Sequence, residues 1–360
     1  MEKTSVGIIG ATGMVGQNYI RLLADHPWFQ VTYVAASPSS AGKSYAEATA
    51  GRWHMESDIP ESVRDLIVHD AAEVQAAVGQ CEFVFSAASL DKAATRALED
   101  AYAAADLPVV SNNSAHRGTA DVPVLIPEIN AHHADIIPAQ RKRRGWHRGF
   151  VAVKPNCSVQ SYMAPMHALR EAGFPISAAV VSTLQAVSGA GYPGVPSLNM
   201  VDNIVPFIGG EEEKSEQEPR KIFGRIENGA FAPDESIQIS AHCNRVPVVD
   251  GHTACVSLKF SGAAPPIDEI VAIFENFRSV PQELKLPFAP KRPIIVRPES
   301  DRPQPRKDRN ADKAMAVSVG RLRPCNVFDL RFVGLSHNTV RGAAGGGILN
   351  AELLKALGYL

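Results

Sequence analysis

Short apolar runs alternating with amphipathic stripes open the chain. Val6–Ile9 reads as a strand, Gly10–Gly16 as a glycine turn and Val15–Ala24 as a helix whose apolar positions share one face. The same alternation continues with strand Val31–Ala36, strand Phe83–Ser86, helix Asp91–Ala104 and strand Pro108–Ser111. Strands separated by helices in this way predict a parallel, doubly wound sheet over about the first 150 residues.

The grammar changes after Phe150. Longer β-branched runs at Ala178–Leu184, Val246–Val249, Thr253–Phe260, Ala314–Val319 and Phe328–Val333 predict a mixed or antiparallel sheet, with a helix over Val159–Ala172 ahead of it. Gln140–Arg148 and Pro298–Asp312 read as loops. Asn338–Leu357 has a glycine-containing start and then a helical pattern, placed to return to the first sheet. The expected fold is α/β, a Rossmann-type domain over residues 1–155 completed by 337–360, with an α+β domain over 156–336.

Composition narrows the function classes. The 360 residues are 45% hydrophobic, enough for two cores, and a formal charge of -2 gives no broad field for nucleic acid or an acidic membrane. No run approaches the roughly 20 apolar residues of a membrane span, and the first residues lead directly into a strand, so a cytoplasmic protein is expected. Five scattered cysteines suit free thiols better than a disulfide framework. The basic run Arg141-Lys142-Arg143-Arg144 is short and isolated, and is read as a solvated loop.

Gly10-Ala11-Thr12-Gly13-Met14-Val15-Gly16 is a GxxGxxG turn between strand and helix, the arrangement that brings backbone N–H groups against a pyrophosphate. The end of the second strand chooses the nicotinamide cofactor. Instead of the carboxylate that binds unmodified ribose, it offers Ser37, Ser39, Ser40 and Lys43, hydroxyls and a cation suited to a 2′-phosphate, so NADP is expected.

Pro155-Asn156-Cys157-Ser158 places a thiol before a predicted helix, where the helix dipole should make it more acidic than a free cysteine. His252, just ahead of an apolar strand, is the candidate acid/base. His242, Cys243, His252 and Cys255 are suitable zinc ligands by type, but adjacent strand residues face opposite ways, and no metal is expected.

With these motifs stand Ser111-Asn112-Asn113 with Arg117, Pro127-Glu128-Ile129-Asn130, Gln185-Ala186-Val187-Ser188-Gly189-Ala190-Gly191, Glu211-Glu212-Glu213-Lys214, and Arg245 seven residues before His252. In this set the chain resembles the aspartate-semialdehyde dehydrogenases, particularly their archaeal and fungal branch, over nearly its whole length. The resemblance implies reversible NADPH reduction of L-4-aspartyl phosphate to L-aspartate 4-semialdehyde with release of inorganic phosphate, a step toward lysine, threonine and methionine. It implies Cys157 as nucleophile, His252 as proton shuttle and Gln185 as the residue that orients the acyl group. Arg245 would clamp the α-carboxylate, one of the three glutamates, by position Glu211, would meet the ammonium, and Arg117, Lys214 and Asn156 would hold phosphate. Gly10, Thr12, Gly13, Met14, Val15, Gly16, Ser86, Ser188, Gly189 and Asn338 join the serines and Lys43 around the cofactor. A homodimer or homotetramer formed through the second domain is implied as well.

Two other readings are open to the sequence. A malonyl-CoA reductase-like enzyme shares the glycine loop, the thiol and the closing Asn338-Thr339-Val340-Arg341-Gly342 segment, but has no use for Glu211 and Lys214. A sensor that binds NADP without turnover is the other, because a fold alone does not establish chemistry.

Overall fold

The computed structural model describes residues 2–360. Its first sheet has six parallel strands, β1 (Thr4–Ile9), β2 (Phe29–Ala36), β3 (Val68–Asp70), β4 (Phe83–Ser86), β5 (Val109–Ser111) and β6 (Val151–Val153), in the order β3-β2-β1-β4-β5-β6. The order reverses between β1 and β4. That switch opens a crevice at the carboxyl ends of the strands, directly beneath the glycine turn.

The second sheet is mixed, as expected. It contains β7 (Ile176–Gln185), β10 (Gln238–Arg245), β11 (His252–Phe260), β12 (Ile294–Arg297), β13 (Val317–Pro324) and β14 (Leu330–Ser336), ordered β10-β7-β11-β14-β13-β12. A two-stranded ribbon, β8 (Arg225–Glu227) and β9 (Ala230–Ala232), stands apart from it. Helix Gly345–Ala356 returns to the first sheet, where Ile348, Ala351 and Leu354 share a core with Val6, Ile8 and Phe83. Arg341, just before that helix, is buried against Glu128 at 2.7 Å and locks the returning segment to the Pro127–Asn130 turn.

Four local expectations are corrected. Val246–Val249 is not a strand: Pro247 cannot donate to a ladder, and the parallel partner of β7 is the more polar Gln238–Arg245, with Gln238, Ser240 and His242 exposed. Within Gln140–Arg148 the basic run ends a helix, Ile137–Arg144, closed by Gly145 at φ 70°. Arg144 pairs with Asp100 at 2.7 Å and Asp121 at 2.9 Å, so this run is structural and only partly solvated. Finally, Val159–Ala172 is a 3-10 turn, Val159–Ser161, followed by the α-helix Met163–Glu171, which puts Cys157 ahead of a tight turn and not at the mouth of a regular helix. Pro298–Asp312, read as a loop, holds the short helical turn Pro305–Asp308.

Candidate active site

Two cavities meet at the N-terminus of helix Met14–Leu23. One, of about 440 Å³, lies over the first sheet and is lined by Gly10, Thr12, Gly13, Ser37, Asp70 and Ala87, among others. It is made largely of backbone. Gly10 has φ 79°, and a Cβ there would sit 2.4 Å from the Ala87 carbonyl oxygen, while a Cβ on Gly16 would sit 2.2 Å from the Gly10 oxygen. Such a cradle admits a pyrophosphate because no side chain occupies it.

Beyond Ser37 the expected hydroxyl cluster is present but has internal partners. Ser37 Oγ is 3.0 Å from Ser39 Oγ, Lys43 Nζ donates to the Ser39 carbonyl at 2.9 Å, and Ser40 is buried beneath Arg52, whose Nη2 donates to its hydroxyl at 2.9 Å. Arg52 is a cation that sequence reasoning missed. No carboxylate stands at the end of β2, and Asp70 supplies the cavity's acid from the end of β3. These residues fit NADP. The expected cofactor residues Gly16, Ser39, Ser40, Lys43 and Ser86 do not line this cavity, and Ser86 accepts from Asn113 Nδ2 at 3.0 Å.

The second cavity, of about 290 Å³, brings Met14, Val15, Ser188, Gly189 and Asn338 together with Arg117, Asn156, Cys157, Glu211 and Lys214. Cofactor and substrate candidates thus share one wall. Asn338 Nδ2 donates to Ser188 Oγ at 2.8 Å across the two segments.

Cys157 is partly exposed in this cavity, and its Sγ lies 3.3 Å from His252 Nε2. His252, fully buried at the start of β11, stands behind Gly189 together with Arg245. A Cβ on Gly189 would come 2.9 Å from Arg245 Nη1 and 3.2 Å from His252 Nε2. Burial pushes the thiol up, as does the nearby Glu211 carboxylate, and Lys154, Arg117 and Arg245 only partly offset this. That direction is opposite to the acidic thiol expected from the sequence, and it comes from burial and Glu211. Burial and Arg245 likewise push His252 down, to about 3, so the resting pair is a thiol beside a neutral ring.

Polar side chains around the sulfur hold one another. Helix Glu211–Ile222 turns Glu211, Ser215 and Glu218 inward at helical spacing. Glu211 pairs with Lys214 at 2.8 Å and accepts from Asn156 Nδ2 at 2.7 Å and Gln185 Nε2 at 3.3 Å. Burial would lift this carboxyl, but Lys214, Asn156 and Gln185 together hold it below the usual range. Of the three glutamates Glu211 lines the cavity, whereas Glu213 is exposed and Glu212 accepts the Cys243 N–H at 3.1 Å.

Glu218, which sequence reasoning missed, accepts from Arg117 Nη1 at 3.0 Å and from the Asn156 backbone at 2.6 Å. Its signal was the helical spacing from Glu211 inside a run that otherwise reads as solvated. Lys154 was missed too. It follows β6 at the carboxyl edge of the sheet, lines the pocket, and is pushed down to about 7 by burial and by Arg117. Gln185 is buried and turned toward Glu211, while Arg245 Nη1 is used by the Ala186 carbonyl at 2.7 Å.

Among the described residues no group of three or more His, Cys, Asp or Glu is arranged to hold a metal, and no helix is long and apolar enough to cross a membrane. His242 is exposed and Cys243 buried, on opposite faces of β10.

Comparison with known proteins adds three findings. Residues 5–137 match the family model described as semialdehyde dehydrogenase, NAD binding domain, and residues 166–341 the one described as semialdehyde dehydrogenase, dimerisation domain. The chain is 47% identical to an aspartate-semialdehyde dehydrogenase of Methanothermobacter thermautotrophicus, covering 98% of this chain and 99% of that one, and 44% identical to that of Schizosaccharomyces pombe with both covered in full. The crystal structure of the Candida albicans enzyme with NADP superposes with a TM-score of 0.91 at 39% identity, covering 100% of each chain.

Proposed function

This chain belongs to the aspartate-semialdehyde dehydrogenase family, and on that premise we propose how its pocket performs the reaction. It is an NADP-dependent oxidoreductase that reversibly reduces L-4-aspartyl phosphate to L-aspartate 4-semialdehyde and releases inorganic phosphate, in amino-acid biosynthesis leading to lysine, threonine and methionine. NADP supplies the hydride chemistry when bound.

The observation that carries the residue assignments is the Cys157–His252 contact, 3.3 Å long, facing a pocket that holds a paired Glu211 and Lys214. Cys157 attacks the acyl carbon and holds it as a thioester, and phosphate leaves toward Arg117, Lys214 and the buried Lys154. Asn156, tied to Glu211 and Glu218, fixes the backbone beside the sulfur. Arg245 offers the fork for the α-carboxylate and Glu211 the countercharge for the ammonium, while Gln185 steadies Glu211 from behind. Malonyl-CoA presents neither an ammonium nor a phosphate to this pair, so it is the poorer fit.

The presence of two separate sheets supports a division into a cofactor domain, 1–155 with 337–360, and a catalytic domain, 156–336. A homodimer or homotetramer is supported by the apolar segment carrying Leu198, Val201, Ile204 and Phe207, all exposed in the single chain, within the region matched to a dimerisation domain. A cytoplasmic location suits a chain with these substrates.

The decisive experiment measures NADP reduction by aspartate semialdehyde with and without phosphate, beside NADPH oxidation by malonyl-CoA. Enzyme quenched during turnover should carry an aspartyl mass on the peptide containing Cys157. An unmodified Cys157 during active turnover rejects the nucleophile assignment, and preferential malonyl-CoA turnover rejects the substrate.

A further inference from the structure

A third cavity, of about 650 Å³, opens beside helix Met14–Leu23. It shares Met14, Asn18 and Thr339 with the catalytic pocket and no lining residue with the nucleotide cavity, so the pyrophosphate cradle and Cys157 both lie outside it.

Its charged residues do not pair with one another. The Arg21 guanidinium donates to Asn18, one turn back on its own helix, at 3.1 Å, and that of Arg309, just after the turn Pro305–Asp308, donates to the Asp250 carbonyl at 3.2 Å. Among the described residues neither arginine forms an ion pair, and neither does the carboxylate of Asp250 or of Glu56, which line the same cavity. Each guanidinium keeps several N–H donors unused. The charges nevertheless feel one another. Burial works against the charge on Arg21, whereas Glu56 and Asp250 favour it. Opposite charges thus sit close enough to interact through space and too far apart to touch.

His337 points to a ligand independently. It is only 8% exposed and lines the cavity, its Nδ1 lies 3.4 Å from Thr339 Oγ1, and its Nε2 has no hydrogen-bond partner among the described residues. Burial pushes the ring down to about 4, with Asp250 opposing and Arg309 and Arg21 assisting, so it is neutral at pH 7. One ring nitrogen is left for a polar group that the chain does not supply. The rest of the lining is apolar. Leu22, Phe288, Ala314 and Val340 belong to a single hydrophobic cluster and give the cavity one greasy wall.

We propose that this cavity binds a free α-amino acid with an apolar side chain. Arg21 and Arg309 hold its α-carboxylate, Asp250 meets its α-ammonium, and its side chain lies along Leu22, Phe288 and Val340. A simple anion such as phosphate would be repelled by Asp250 and Glu56, while a zwitterion matches both signs. The site is independent of the chemistry at Cys157.

Ligand-observed nuclear magnetic resonance on the full-length, NADP-bound enzyme tests this with L-methionine, whose flexible thioether suits an apolar wall. A Kd of about 1 mM or tighter is expected. The same molecule without its ammonium, 4-(methylsulfanyl)butanoate, should bind about tenfold more weakly, and Asp250→Asn should erase that preference. Arg21→Met should weaken L-methionine about 10- to 100-fold, with a melting temperature within about 2 °C of wild type because Arg21 holds no residue but Asn18. Absence of L-methionine binding up to about 10 mM overturns the proposal. So does tighter binding of inorganic phosphate that Arg21→Met abolishes, which would make this a plain anion site. Binding of L-methionine that Arg245→Lys weakens and Arg21→Met leaves intact overturns it as well, since the amino acid would then occupy the catalytic pocket.

Discussion

The nucleotide cavity reaches Gly13 and the catalytic pocket begins at the next residue, Met14, but the two are built of different material. The first is formed by the glycine turn and the carboxyl ends of β2, β3 and β4, kept open at Gly10 and Gly16 by the absence of Cβ atoms. The second is a set of charged side chains drawn from distant segments: Arg117 is paired with Glu218, Glu211 with Lys214, and Lys154 and Arg245 are held by the Pro155 and Ala186 carbonyls. A backbone cradle recognises a group that many proteins share. A lattice of paired side chains recognises one arrangement of charges, and it also sets the ionisation of the sulfur at its centre.

Changes in each region should therefore fail in different ways. Cys157→Ser should remove the covalent step and lower kcat by about 10⁴-fold or more, with NADPH affinity within about twofold of wild type. Titration of NADPH fluorescence checks the second half of that statement, and parallel loss of cofactor binding would mean that the two cavities are not separable. Gly10→Ala is the converse. Its methyl group would strike the Ala87 backbone in a left-handed conformation, so NADPH binding should weaken by about 10²-fold, about 3 kcal/mol, while Cys157 still reacts with an alkylating reagent.

Arg245→Lys keeps the charge and removes the fork. kcat/KM for aspartate semialdehyde should fall about 10- to 100-fold with little change in NADP affinity, and an unchanged kcat/KM would withdraw the carboxylate assignment. The smallest effect concerns Lys154. Its ionisation is depressed to about 7, so its positive charge is present below that pH and is lost as pH rises through it. The KM for phosphate in the reverse reaction should rise about three- to tenfold across that interval beyond the change shown by Lys154→Met, which has no such charge to lose. Identical pH profiles for the two proteins would show that Lys154 does not meet phosphate.

The same contrast explains what was legible in the sequence. The glycine turn and its flanking strand and helix were readable because backbone recognition leaves a local, periodic pattern. Cys157 and His252 stood out by type and by resemblance, yet the sign of the thiol's ionisation was misread, since burial and Glu211 belong to three-dimensional neighbours that spacing does not reveal. Glu218 and Lys154 stayed hidden for a related reason. One lay in a highly charged helix whose inward face shows only when burial is known, the other at a strand end where a lysine is ordinarily solvated. The strand Gln238–Arg245 was overlooked because its exposed positions are polar, and the apolar Val246–Val249 beside it drew the assignment instead.

A final consequence follows from where the chain returns. Gly342 lies so close to Cys157 that a Cβ on it would be 2.7 Å from the cysteine's own, and the segment carrying it is pinned by Arg341 to Glu128. During synthesis the sulfur is made long before this wall of its chamber. Until the stretch through residue 356 has emerged and folded back, the nascent protein holds a cysteine without the enclosure that later governs its reactivity. A product interrupted before residue 340 should therefore be catalytically silent, however well its two sheets have formed.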